Sequence, residues 1–170
     1  MRKHVIGSHA VNGGGMAAWS KHTEEMGVLC LAEDAVDLLM WGHYAHSHQG
    51  ICLEFDTQHA PFDLARRISY DDERSVFRLF DPDRSSLMER ILLRKAKAWE
   101  YEREWRIFGP GKVGFVEFPV DALTAIILGA KVSVENEDNV RKILKKREKQ
   151  ILVRRVTIDS KSYSLNSIDA

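Results

Sequence analysis

The sequence is short of several things, and each shortage removes a class of protein. It has no net charge, 25 basic residues being matched by 25 acidic ones, so it lacks the electrostatic footprint of a nucleic-acid binder. No apolar run approaches the roughly 18–20 residues that a membrane-spanning helix requires. The N-terminus lacks the cationic-then-apolar layout of a signal peptide. A cytoplasmic location is therefore the expectation, with neither nucleic acid nor membrane as partner. Cysteine is scarce too: Cys30 and Cys52 stand alone inside apparent strands. They read as small buried hydrophobes in a reducing compartment, not as a disulfide framework. Internal repeats and low-complexity tracts are absent.

What is present suits one domain. A chain of 170 residues that is 44% hydrophobic and 29% charged can bury a sizeable core. Residues 1–27 show no sustained period and read as a poorly ordered or partly helical lead-in, with a short helix at Met16 to Glu25. The Gly13-Gly14-Gly15 run has neither a preceding strand nor the spacing of a phosphate-cradling loop. The remainder, 28–170, reads as a single α+β domain. Val28 to Leu31 is a buried strand, followed by an N-cap at Asp34 and a helix whose stripe is Val36, Leu39, Met40, His43 and Tyr44. That stripe puts His43 and Tyr44 near the core. Gly50 stops the helix, and Ile51, Leu53 and Phe55 face inward from the next strand.

Further along, Arg67 to Tyr70 suggests a short strand, and Ser86 with Glu89 makes a capping box for a helix running to Trp99. A strand then ends at Gly109-Pro110-Gly111, with Val113 to Phe118 as its hairpin partner. Thr124 to Leu128 is a buried strand, Glu135 to Gln150 an amphipathic helix with Val140, Ile143 and Leu144 facing in, and Ile151 to Ile158 a further strand. Tyr163 to Leu165 pairs at an edge. The whole predicts a mixed, mostly antiparallel twisted sheet with three main helices.

Two groups could carry chemistry. His43, His46 and His48 form a His-x-x-His-x-His run. On a helix, however, the third lies off the face shared by the first two, and no acidic residue or cysteine stands at a metal-ligand spacing; no metal is expected. The second group is Lys95 to Phe108. Its latter half alternates, Tyr101, Arg103, Trp105 and Ile107 pointing one way and Glu102, Glu104 and Arg106 the other. Carboxylates at i and i+2 on a strand lie roughly 6.6 Å apart. This row is either a solvated ladder of ion pairs or a ligand site locked against the core by the aromatics on its far side. Paired carboxylates also serve glycoside hydrolysis, but the exposed aromatic platform such enzymes carry is missing.

Three blocks in order carry a resemblance. They are Cys30-Leu31 with Trp41-x-x-Tyr44; His48-x-Gly50 with the strand Ile51 to Asp56; and Lys97-x-Trp99-x-Tyr101-Glu102-x-Glu104-Trp105-Arg106 with Ile126-Ile127-x-Gly129. Together they resemble the bacterial family known as domain of unknown function 2971, over residues 28–165. Members of that family carry a longer N-terminal region with an additional strand and an Asn-Asp-Pro turn, so this chain looks like a shortened member. A more distant resemblance links the glutamate near a strand start, the hairpin and the Pro119-x-x-x-Leu123-x-x-Ile126-Ile127 segment to the C-terminal half of ADP-ribosyltransferase domains. It implies NAD as co-substrate, a nucleotide-type small-molecule ligand. Glu104 would be the carboxylate on the ribose, facing a developing oxocarbenium charge, and Glu102 would assist or position the acceptor. Tyr44 would stack on nicotinamide and His43 orient the ribose, Arg106 completing the cofactor-binding set. The alternative is a non-catalytic binding or interaction module. In it Glu102, Glu104 and Arg106 pair with Lys95, Lys97 and His43 to fix the fold.

Overall fold

A computed structural model describes residues 2–5, 26–74, 90–110 and 115–170 of the chain. The expected helix at residues 16–25, the triple glycine, the Ser86/Glu89 capping box and the Gly111 turn lie outside the described residues. Over the rest, the chain is an α+β domain built on a mixed, mostly antiparallel five-stranded sheet in the order β1-β3-β8-β9-β10. Its strands are β1 (Arg2–Val5), β3 (Ile51–Asp56), β8 (Leu123–Leu128), β9 (Leu152–Ile158) and β10 (Leu165–Asp169). A second sheet has the order β2-β7-β4, from β2 (Met26–Leu31), β7 (Trp105–Pro110) and β4 (Arg66–Arg67). A parallel pair, β5 (Ser69–Asp71) and β6 (Arg94–Ala96), stands beside it.

β8 is the middle strand of the five and is apolar on both faces, so it must be covered from both sides. On one side Ile127 meets Cys52, Val156 and Trp41 of helix α1 (Leu38–Tyr44). On the other, Ile126 and Leu128 meet Leu144 of helix α2 (Val134–Leu144). α2 connects β8 to β9, and these two strands run parallel, giving one βαβ unit in an otherwise antiparallel sheet. Phe55, Phe62, Leu31, Ile107 and Leu123 form a third cluster that joins the two sheets. No helix among the described residues is long and apolar enough to cross a membrane.

Local chemistry sets the ends. The Asp37 carboxylate accepts from the Met40 N–H at 2.9 Å and starts α1, while Asp34, three residues earlier, instead accepts from the Val36 N–H in its own turn. Ser133 caps α2 in the same way, accepting from the Asn136 N–H. α2 stops at Leu144, short of Gln150, and presents Leu144 inward while Ile143 is exposed.

Several sequence expectations change. Arg2–Val5, read as lead-in, pairs with β3, and buried Lys3 lies with its Nζ 3.5 Å from the centre of the Trp105 ring. Cys30 is exposed, only Cys52 being buried. In β3, Cys52, Glu54 and Phe55 are buried while Ile51 is exposed. The sheet is covered on both faces, so Cys52 and Phe55 are buried in different clusters, and the register shifts between Glu54 and Phe55, where β8 carries the extra residue Thr124. The helix read as extending to Trp99 has already ended before β6. β7 pairs with β2 and β4, and residues 115–119, read as part of its hairpin return, form no strand.

Two of the sequence blocks pack directly against each other. After α1, His46, Ser47 and His48 all take left-handed φ values of 47°, 53° and 71°. The His48 carbonyl then accepts from the Lys131 N–H at 2.9 Å, and Gly129 donates its N–H to Gly50 at 3.0 Å. A Cβ on Gly129 would fall 2.1 Å from the His48 carbonyl oxygen. Both partners are backbone, so neither can swing aside. Gly129→Ala is therefore expected to lower stability by about 3 kcal/mol or more in urea unfolding, and an unchanged midpoint would refute the close packing of these segments.

Candidate functional site

The charged stretch folds differently from the continuous strand expected of it. Lys97–Glu102 is a 3-10 helix, and Arg103 ends it in the left-handed region at φ 44° and ψ 49°. The strand begins only at Trp105. This turn delivers Glu102 to the same place as Glu104 by a route that alternation could not foresee. From Glu104 onward the expected alternation holds: Ile107 is buried in the core while Glu104 and Arg106 share the opposite face.

Glu102 and Glu104 are only 3% and 4% exposed. Buried carboxylates require partners, and every oxygen here has one. Glu102 accepts from the Tyr44 hydroxyl at 2.8 Å through one oxygen and from the Lys95 ammonium through the other. Lys95 also reaches Glu104 at 3.1 Å. Arg106 grips Glu104 with two nitrogens, Nε at 2.6 Å and Nη2 at 3.1 Å, and its third donates to the Leu92 carbonyl. Two acids and two bases thus make a closed, neutral quartet. The Glu104 N–H donates to the Tyr70 hydroxyl at 2.7 Å, and the Glu104 carbonyl accepts from the Ile68 N–H at 2.9 Å, tying the quartet to β4 and β5.

The protonation chemistry follows from this crowding. Burial alone would raise the Glu104 pKa, but the hydrogen bonds from Arg106 and Cys30 and the charges of Arg106 and Lys95 outweigh it, holding the carboxyl below its ordinary value. Burial of the phenol and its bond to Glu102 push Tyr44 upward. Cys30 is paired across from Arg106 in β2. Although the residue as a whole is exposed, desolvation of its sulfur and a hydrogen bond to Glu104 raise the thiol to about 12.

Of the expected site residues, Tyr44, Glu102, Glu104 and Arg106 therefore converge, with Lys95 at their centre. His43 does not join them. It is exposed on α1, its ring 6.2 Å from those of Tyr44 and Trp99, which corrects the expectation that it lies near the core. Lys97 is exposed as well. His46 and His48 sit in the left-handed turn, not on the helix. Among the described residues no three His, Cys, Asp or Glu side chains are grouped to hold a metal ion.

Sequence reasoning missed a third buried carboxylate. Glu54 accepts from Arg2 at 2.9 Å, Thr124 at 2.9 Å and Arg154 at 3.3 Å, and lies 3.3 Å from His4 Nε2. Its alternation signal existed, since it stands between apolar Leu53 and Phe55, but its partners come from β1, β8 and β9 and leave no local trace. Tyr70 and Cys30, which contact the quartet from β5 and β2, were missed for the same reason.

Two measurements test this electrostatic picture. Because the folded Glu104 carboxyl titrates below 4.5, the ordinary glutamate value, its stabilisation is complete above that pH and is lost as pH falls through the folded value. The stability gap between wild type and Glu104→Gln should shrink on acidification below about pH 4.5; a gap constant from pH 7 to 3 would contradict it. With its thiol at about 12, Cys30 should alkylate at pH 8 at least tenfold more slowly than a free cysteine, whose thiolate is far more abundant there.

No curated protein and no solved structure matches the chain. The model of a family described as protein of unknown function (DUF2971) matches residues 40–107. The matched segment contains Tyr44, Lys95, Glu102, Glu104 and Arg106, the full set of side chains that closes the buried network. Over residues 40–107, then, the chain is similar to the DUF2971 family.

Proposed function

We propose that this domain is a non-catalytic binding module in which the charged stretch is structural. One observation carries the reading: all four carboxylate oxygens of Glu102 and Glu104 are engaged by Tyr44, Lys95 and Arg106. A carboxylate that stabilises a developing cation must face it with a free oxygen. Here each oxygen would first have to leave a cation or a hydroxyl, and for carboxylates as buried as these the loss of a partner is costly. The quartet instead joins five pieces of chain. Tyr44 comes from α1, Lys95 from β6, Glu102 from the 3-10 turn, Arg106 from β7 and Cys30 from β2.

The transferase reading, with Glu104 on the ribose of NAD, makes the opposite demand on the same residue. Glu104→Gln separates the two. As a structural member, the substitution leaves Lys95 and Arg106 partly uncompensated and should cost about 3 kcal/mol in urea or thermal unfolding. NAD should leave the melting temperature of the wild type unchanged, and no nicotinamide should be released. Nicotinamide release abolished by Glu104→Gln, with the melting temperature preserved, would overturn the structural reading in favour of catalysis.

A further inference from the structure

Beside the quartet, a cavity of about 410 Å³ is lined by Arg67, Tyr70, Glu100, Tyr101 and Arg103. That volume suits a small molecule and is several times what a bare inorganic ion occupies. Its charges are organised unlike those of the quartet. Both arginines are exposed, and neither guanidinium has a hydrogen bond or ion pair with a described residue. Arg67 also lies close enough to Lys3 to disfavour that residue's charge, and to Glu33 to favour its carboxylate. The described lining of the cavity thus sets two guanidinia against one carboxylate, Glu100.

The remaining groups are held ready. The Tyr70 hydroxyl accepts the Glu104 N–H at 2.7 Å, which fixes the oxygen and leaves its own proton to donate. The Tyr101 ring lies tilted by 36° against Trp99, at 6.0 Å between centres, which fixes its orientation. Arg103 reaches the cavity because the chain turns left-handed there. A continuous strand would have sent it to the core face with Trp105 and Ile107.

We propose that this cavity binds a phosphate monoester carrying a planar ring, in the class of nucleoside monophosphates. The proposal rests on the binding-module reading above and gives that module its ligand. Arg67 and Arg103 with the Tyr70 hydroxyl supply forked donors for the phosphate oxygens. A dianionic monoester neutralises both guanidinia, whereas a carboxylate neutralises one. The volume left over accommodates a ring on the face of Tyr101, and Glu100 accepts from the hydroxyl or amino donors that such a ligand bears.

Isothermal titration with four probes tests this: a nucleoside monophosphate, the matching nucleoside, a ring-free sugar phosphate and inorganic phosphate. The monophosphate should bind saturably and at least tenfold tighter than each of the other three. Arg67→Gln and Arg103→Gln should each weaken it at least tenfold without lowering the melting temperature. Arg103→Gly, which suits the left-handed backbone, should weaken binding equally while melting no lower than wild type. Absence of saturable binding, equal affinity for inorganic phosphate or nucleoside, or monophosphate binding that survives both glutamine substitutions would overturn the assignment. Failure here leaves the Glu104→Gln stability result standing. Turnover of the bound monophosphate would instead sink the non-catalytic reading and leave the cavity assigned.

Discussion

Lys95 stands between two buried carboxylates, and among the described residues its ammonium is the one group that hydrogen-bonds both. Two anions this close repel unless a cation lies between them, and desolvation magnifies that repulsion. The backbone around the site follows from meeting this demand. β6 places Lys95, the 3-10 turn brings Glu102 back toward Glu104, and Arg106 closes the far side. Tyr44 then has a fixed acceptor, which docks the end of α1 onto the turn. An ion-pair network of this kind contributes less to net stability than its Coulomb energy suggests, because desolvation offsets much of the gain. Its stronger effect is on uniqueness: any other arrangement of these segments strands a charge.

Glu54 repeats the logic within the five-stranded sheet. It is buried at a bulge and held by arginines from β1 and β9, with Thr124 and His4. Both carboxylate centres sit where separate strands meet, and both draw cations from distant parts of the sequence. The apolar clusters hold each layer together, while these polar centres specify which strand lies beside which.

The alternation of Trp105, Arg106 and Ile107 was legible in the sequence, as were the buried run of β8, the helices around Met40 and Val140, and the closeness of Tyr44 to the acidic residues. All but the last rest on local periodicity, which a linear reading detects. Where the expectation failed, the cause lay in long-range geometry. Glu102 reads as part of a strand by spacing, but a single left-handed residue at Arg103 breaks the alternation. Ile51 reads as inward by pattern, yet the sheet is covered on both faces, and it is Cys52 and Glu54 that are buried while Ile51, at the strand's start, is exposed. His43 follows the helical stripe on paper, but α1 ends at Tyr44, and its final turn lies at the margin of the packed region. The exposed Arg67 and Arg103 gave no signal at all, because a cavity is a property of separated segments, here 67–70 and 100–103, brought together.

The placement of β1 bears on how the chain is assembled during synthesis. Arg2, Lys3 and His4 are made before any of their partners, and Glu54, Glu33 and Trp105 follow much later. The inner neighbour of β3 is β8, later still. Docking β1 in register thus closes a long loop, which is entropically slow and gains little until β3 is already held by β8. Until then its buried lysine and histidine remain in water, where they are soluble, and the early-made strand is shielded by its own charge from pairing with a neighbouring nascent chain.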